Sequence, residues 1–358
     1  MSSSTAPTRW IGLDLHKTYL VATGVNAAKE QVFGPFRVQL SRFPKWAKTQ
    51  LSAQDAIVLE MTTNSWEVHD LLVPLVHSVT VVHPPHVKLI TRAQVMTDKK
   101  AAYALARLHA AGLLTGIWVP PQEVRDLRAL VAQRCKLVKL VSQAKNRLHA
   151  VLHRHHLPPP PPSNPFRPQD REWWTSLDVS PHERLQLESN FDTLLFAKQQ
   201  VERIEGYLGA LAAQDERVPY LIQLPGIGMV SAMTILAAIG DITRFPSAKQ
   251  LVGYAGLGAR VHDSGQSRRT GRITKAGRRE LRSVLVEAAH AAARTHPHWK
   301  EEYQQLQVRL GRGKAIVAIA RKLLVAVWHV LTHRTVDCHA QERQVACSFF
   351  AFAYKVGV

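Results

Sequence analysis

The chain is poor in cysteine, poor in acid and without long apolar runs. Its three cysteines, Cys135, Cys338 and Cys347, are widely spaced and odd in number. That excludes a disulfide framework and a cysteine-rich zinc site, and it suits a reducing cytosol. No apolar run approaches the ~20 residues expected of a spanning helix, and residues 1–9 lack a signal-peptide core. A membrane is therefore not the expected partner. Aspartate and glutamate total 27 against 46 lysines and arginines, a formal net charge of +19 with 18 histidines uncounted. Such a surplus points to a polyanion, nucleic acid first and an anionic membrane surface second. No internal repeat is visible.

What is present suffices for a folded protein. At 358 residues, 46% hydrophobic and 20% charged, the chain has the length of two or three domains and the material for a core. Residues 10–25 read as two strands of a hairpin, and residues 33–40 add a third. A helix over 41–52 carries Phe43, Trp46 and Leu51. Residues 56–60 make a short buried strand ending in Glu60, 66–75 a helix, and 78–82 a further strand stopped by Pro84 and Pro85. Thr97 is the expected N-cap of a helix opening at Asp98 and running to about Ala111. Strands and helices mixed in this order predict an α/β domain over residues 1–120.

Residues 121–215 read as a helical arm. One long helix, about 121–156, has an apolar face and a basic remainder that includes Arg128, Arg134, Lys139, Lys145 and Arg147. A proline run at 158–162 breaks it, and a second helix spans about 182–213. Such a pair is an antiparallel arm, a coiled-coil dimer contact or an ordinary spacer. The basic face is expected to bind nucleic acid in a salt-sensitive way. Residues 216–340 are expected to be mainly helical, and the apolar tail 341–358 has no assigned role.

Three carboxylates stand out. Asp14 lies inside an apolar strand, where it needs compensation; Glu60 ends a second strand; Asp98 starts a helix. Carboxylates on neighbouring strand ends and a helix start suit a hard divalent cation such as Mg2+. Taken singly, each is as well explained as a cap or an edge residue. Pro225-Gly226-Ile227-Gly228 before an apolar helix reads as a helix–hairpin–helix turn, whose backbone N–H groups suit phosphate, or as a plain tight turn. Residues 260–282 hold eight basic side chains, among them Arg268, Arg269, Arg272 and Lys275. Within them Ser264-Gly265 is either a nucleophile or a hydrogen-bonding element of a disordered phosphate-binding loop. The histidines around 153–156 read as a solvated helix end, and the others as scattered, without ligand spacing.

Taken together, these motifs resemble the transposases of the insertion-sequence group numbered one hundred and ten, described as bridge-RNA-guided recombinases. The resemblance rests on Ile11-Gly-Leu-Asp14, Leu59-Glu60, Thr97-Asp98-x-x-Ala101-Ala-x-x-Leu105-Ala106, Pro225-Gly-Ile-Gly228, Gly253-Tyr-Ala-Gly-Leu257 and Ser264-Gly265 followed by Ile273-Thr-Lys-Ala-Gly277. It implies a ribonuclease-H/resolvase-like N-terminal domain in which Asp14, Glu60 and Asp98 bind Mg2+. It implies a C-terminal transposase domain with Ser264 as nucleophile. As partners it implies target and donor DNA, a guide RNA, and a dimer or tetramer in which the acidic domain of one subunit meets the serine domain of another.

The family pattern has aspartate where this chain has Ala101, so the resemblance also implies impaired metal binding and cleavage. The leading expectation is an RNA-guided DNA recombinase of a mobile element, acting on DNA in a bacterial cytoplasm. The alternatives are a metal-dependent junction nuclease that leaves no covalent intermediate, and a non-catalytic nucleic-acid-binding protein.

Overall fold

A computed structural model describes residues 6–85, 87, 97–160, 165–264 and 267–357, with backbone alone for 261–263 and 267–270. The chain forms two compact units, Met1–Pro120 and Pro121–Val358. The segments read as 121–215, 216–340 and 341–358 all fall within the second.

The first unit is a five-stranded mixed sheet in the order β3-β2-β1-β4-β5. Its strands are β1 (Arg9–Leu15), β2 (Tyr19–Val25), β3 (Gln31–Gln39), β4 (Asp55–Glu60) and β5 (Ser78–Val82). The first three form an antiparallel meander; β4 and β5 add to β1 in parallel. The short polar turn after Leu15 closes the hairpin, whereas β4 and β5 arrive through the helices α1 (Phe43–Gln50) and α2 (Ser65–Leu72), as parallel pairing requires a crossover. At the start of β1, Arg9 grips Asp55 through Nε and Nη2 at 2.6 and 2.7 Å, with the Asp55 side chain fully buried. One face of the sheet packs Ile11, Leu13, Ile57 and Leu59 with Phe43, Ala47, Val68 and Leu72.

The other face carries Val58 and Val82 against Leu105 of α3 (Asp98–Ala110). Thr97 caps α3 as expected, accepting from the Lys100 N–H. Gly12 decides how closely α3 approaches. A Cβ there would lie 2.1 Å from the Ala102 carbonyl oxygen and 2.7 Å from the Ala106 nitrogen. Only a residue without a side chain lets the helix backbone rest on β1.

The second unit begins with α4 (Gln122–Arg154), followed by the single-turn α5 (Arg171–Thr175) and by α6 (Pro181–Gln214). The two long helices pack on each other within one chain. Arg134 pairs with Glu205 and Arg154 with Glu183, so the pair is antiparallel. Leu148, Val151 and Leu152 of α4 meet Leu187, Phe191 and Leu194 of α6, closed by Phe166 and Trp174 from the connection. Trp174 is fully buried and donates to the Pro165 carbonyl at 2.6 Å. Of the proline run, residues 161 and 162 lie outside the described residues.

The remaining helices are α7 (Val218–Ile222), α8 (Met229–Ile239), α9 (Ala248–Tyr254), α10 (Arg279–Thr295), α11 (Pro297–Leu310), α12 (Arg312–His333) and α13 (Glu342–Val356). Two expectations need correction, and one open segment is filled in. First, an apolar segment of spanning length does exist. The 22-residue α12 is long and apolar enough to cross a membrane by length and composition. Here Ile319, Ala320, Leu323, Leu324 and Val327 form the core of the helical unit; its interspersed basic residues hide it from inspection by eye. Second, the described residues of 260–282 are not a disordered loop. They hold a β-hairpin, β6 (Ala259–Ser264) with β7 (Ser267–Ile273), and the start of α10. Third, the tail is the helix α13, which packs on α6 and α7.

Candidate metal site and nucleophile hairpin

Asp14 is the last residue but one of β1. Because Leu13 pairs with Leu59, the next residues along the parallel pair, Asp14 and Glu60, stand side by side. Alternation puts both on the face that α3 covers. The close seating of α3 on Gly12 then brings Asp98, its first residue, to the same strand ends. Ligand atoms of Asp14, His16 and Asp98 lie within 4.8 Å of one another. His16 Nε2 lies 3.3 Å from Asp14 Oδ2 and 3.4 Å from Asp98 Oδ2, close to the roughly 3 Å that separates neighbouring ligands held about 2.0–2.2 Å from one divalent ion. The donor set therefore fits a divalent cation. Glu60 is half-buried beside this trio but outside its 4.8 Å limit.

Burial pushes the Asp14 carboxyl above its ordinary value; His16 opposes this and Asp98 adds to it. A carboxylate raised by desolvation and a like charge is one that a cation would stabilise. Asp98 is held by Tyr19, whose hydroxyl donates to Oδ2 at 2.9 Å. That bond raises the Tyr19 hydroxyl above its usual value. Arg37 lies over the Tyr19 ring at 3.9 Å. The loop after Glu60 is tied to the turn after Asp14, because Asn64 Nδ2 donates to the His16 carbonyl at 3.0 Å.

His16 and Tyr19 are the residues that sequence reasoning missed. The signal was available: Asp14 and His16 are two apart at a strand end and so share a face. Ala101 lies one helical turn beyond Asp98 and is half-buried; its methyl offers no ligand atom. The statement that the other histidines lack ligand spacing also fails at His329 and His333, four apart on α12 with rings stacked at 5.8 Å.

Ser264 ends β6, exposed, and pairs with Ser267 of β7. Gly265 and the side chains of Arg268 and Arg269 lie outside the described residues. Arg272 and Lys275 are exposed. The base of the hairpin is anchored: the Thr274 N–H donates to the Gly258 carbonyl at 2.9 Å and the Lys275 N–H to that of Gly256 at 3.1 Å. Gly277, at φ +113°, leaves no room for a Cβ, which would stand 2.0 Å from the Tyr254 carbonyl oxygen.

The expected nucleic-acid contacts divide. Lys139 and Arg147 are exposed on α4, and Lys145 lies over the Phe166 ring at 4.9 Å. Arg134 is instead engaged by Glu205 at 2.5 and 2.8 Å, with its side chain 22% exposed. Arg128 is not a surface charge either. It donates to the Ala237 and Ala238 carbonyls that end α8, and burial, with Arg278 nearby, lowers its guanidinium to about 10. At the turn before α8, Gly226 (φ +78°) presses on α10, where a Cβ would meet the Ala288 carbonyl oxygen at 2.6 Å. Gly228 opens onto free space.

A mixed sheet with carboxylates gathered at its central strand ends, joined to a mostly helical region, is consistent with the ribonuclease-H-like DEDD class of transposases. A transposase family model of that DEDD type, for the IS110 group, matches residues 11–157. A second, described as the transposase IS116/IS110/IS902 family, matches residues 218–304. The chain is 28% identical to y4qE of Sinorhizobium fredii over 304 residues, covering 82% of this chain and 74% of that one. It is 27% identical to the transposase for insertion sequence element IS1111A of Coxiella burnetii over 267 residues, 72% of this chain and 73% of that one. The pilin gene-inverting protein of Moraxella bovis is 26% identical over 283 residues, 77% of this chain and 79% of that one. The chain belongs to the IS110 family of transposases.

Proposed function

We propose that this transposase cuts and rejoins DNA through Ser264, with Asp14, Glu60 and Asp98 holding Mg2+, and that a guide RNA selects its target and donor DNA. The observation that carries the reading is the convergence of Asp14 and Asp98 at the strand ends beneath α3. A bound cation would supply charge neutralisation at the scissile phosphate. In that step the Ser264 Oγ forms a bond to phosphorus as the P–O bond to one sugar breaks; the serine proton passes to a carboxylate, and the departing sugar oxygen keeps the electron pair and takes up a proton. The exposed position of Ser264, on a hairpin anchored at its base, supports the role of attacking group. Arg268, Arg269, Arg272 and Lys275 neutralise the phosphate; Lys139, Lys145, Arg147 and the turn at Gly226 and Gly228, read as a helix–hairpin–helix, hold nucleic-acid backbone. Arg134 contributes less, being paired with Glu205. The recombinase works as a dimer or tetramer on DNA in the cytoplasm, each active centre joining the acidic domain of one subunit to the serine domain of another. Relatives that include a pilin gene-inverting protein support recombination as the outcome.

Ala101 favours a second reading for this chain, in which it binds nucleic acid without cutting it. Both readings are tested in one experiment. Labelled DNA and copurified RNA are incubated with the protein and with Ala101→Asp, then run on a denaturing gel. A covalent protein–DNA adduct is expected with Ala101→Asp and is lost when Ser264→Ala is added. An adduct that survives Ser264→Ala rejects the serine. Cleavage without an adduct indicates attack by water. An inert Ala101→Asp protein favours binding alone.

A further inference from the structure

We propose that His16 is itself a ligand of the cation, so that the site favours an ion that accepts imidazole, such as Mn2+, over Mg2+. The inference rests on the cation site proposed above and specifies its chemistry. His16 Nε2 lies 3.3 Å from Asp14 Oδ2 and 3.4 Å from Asp98 Oδ2. The nitrogen is shielded from solvent and makes no directed hydrogen bond to either carboxylate. One nitrogen thus stands close to an oxygen of each carboxylate, within reach of an ion that the two would share.

The ring is held in that position. It stacks on Tyr19 with centroids 4.5 Å apart and planes 26° from parallel. Tyr19 is fixed on its far side by Arg37 and at its hydroxyl by Asp98. The backbone is fixed as well, the His16 N–H donating to the Tyr19 carbonyl at 2.9 Å and Asn64 holding the His16 carbonyl. One turn along α3 from Asp98, Ala101 supplies no oxygen, which leaves the imidazole as the third donor of the trio. Mg2+ takes oxygen ligands in a strict octahedron and keeps its water, whereas first-row transition ions accept imidazole readily.

The test is Mn2+ binding to the full chain without nucleic acid, followed by electron paramagnetic resonance, with spin-echo modulation reporting nitrogen bonded to the ion. The unmodified protein is expected to show nitrogen coupling. His16→Ala should remove the coupling and weaken Mn2+ binding by about tenfold or more, the scale on which even outer partners of metal ligands act. Mg2+ affinity, measured by competition, should change by less than about twofold, because imidazole contributes little to it. If His16→Ala fails to fold, His16→Gln takes its place. Mn2+ binding that Asp14→Asn removes, but that shows no nitrogen coupling, overturns the role of His16 and leaves the acidic site standing. Nitrogen coupling that persists without His16 overturns it too. Mn2+ binding indifferent to Asp14→Asn rejects the site itself.

Discussion

Asp14 stands where a central strand ends beneath a helix, its side chain 26% exposed, while Ser264 stands exposed at the end of a strand in a two-stranded hairpin. Around Asp14 every neighbour is specified by packing: Gly12 under α3, Tyr19 on Asp98, Asn64 on the His16 carbonyl. Near Ser264 the described anchors lie at the hairpin base, at Gly256, Gly258 and Gly277. A cation site needs ligands preorganised to within a fraction of an ångström, which the packed end of a central strand provides. The proposed nucleophile must reach a phosphate within a bulky polyanion, and its exposed place at the end of β6 leaves it accessible.

The sharpest way to break this comparison is paired substitution. Gly12→Ala should destabilise the N-terminal unit by about 1–3 kcal/mol or more through overpacking. Ser264→Ala, at an exposed position, should stay within about 0.5 kcal/mol of the parent. Denaturant unfolding of both variants measures the difference, and equal losses would dissolve the contrast. A smaller effect is expected from Tyr19→Phe. Deleting the hydroxyl that orients Asp98 should weaken Mn2+ binding by about fivefold, the equivalent of one net hydrogen bond of about 1 kcal/mol, with the melting temperature nearly unchanged.

The smallest effect is in pH, and it has opposite signs in the two units. Burial and Asp98 hold the metal-free Asp14 carboxyl above its ordinary value. The folded state therefore binds that proton more tightly than the unfolded state, and the Asp14 contribution to stability falls as pH rises through its folded value. In the second unit burial also pushes Asp215 up, but hydrogen bonds from the Arg217 side chain and backbone outweigh it and hold the carboxyl low. Its contribution is present above the ordinary carboxylate range and is lost as pH falls through the folded value. Melting curves of the metal-free protein against pH should show Asp14→Asn more stable than the parent near neutrality and Asp215→Asn less so. The same sign for both would refute the assignment of strain to the acidic site.

Much of the first unit was legible because period-two apolar runs with a short turn admit few arrangements, and because Thr97 caps α3 as its side chain predicts. The hairpin around Ser264 was not legible. Its strands are rich in basic and hydroxyl residues, so they carry no alternation of apolar and polar residues to read. The basic stripe on α4 was legible as a stripe, but not which of its charges are already used. Arg128 caps α8 and Arg134 pairs with Glu205, contacts 109 and 71 residues away in sequence. The tail likewise showed its apolarity but not its packing on α6 and α7.

Local chemistry alone determined the helical arm, the α3 start at Asp98, the basic surplus and the candidate acids, since propensity, capping and net charge depend on near neighbours. Only the tertiary structure decided that His16 joins Asp14 and Asp98, and that Ser264 rides on a hairpin. Those outcomes depend on which distant backbones can touch, as α3 can touch β1 only across a glycine.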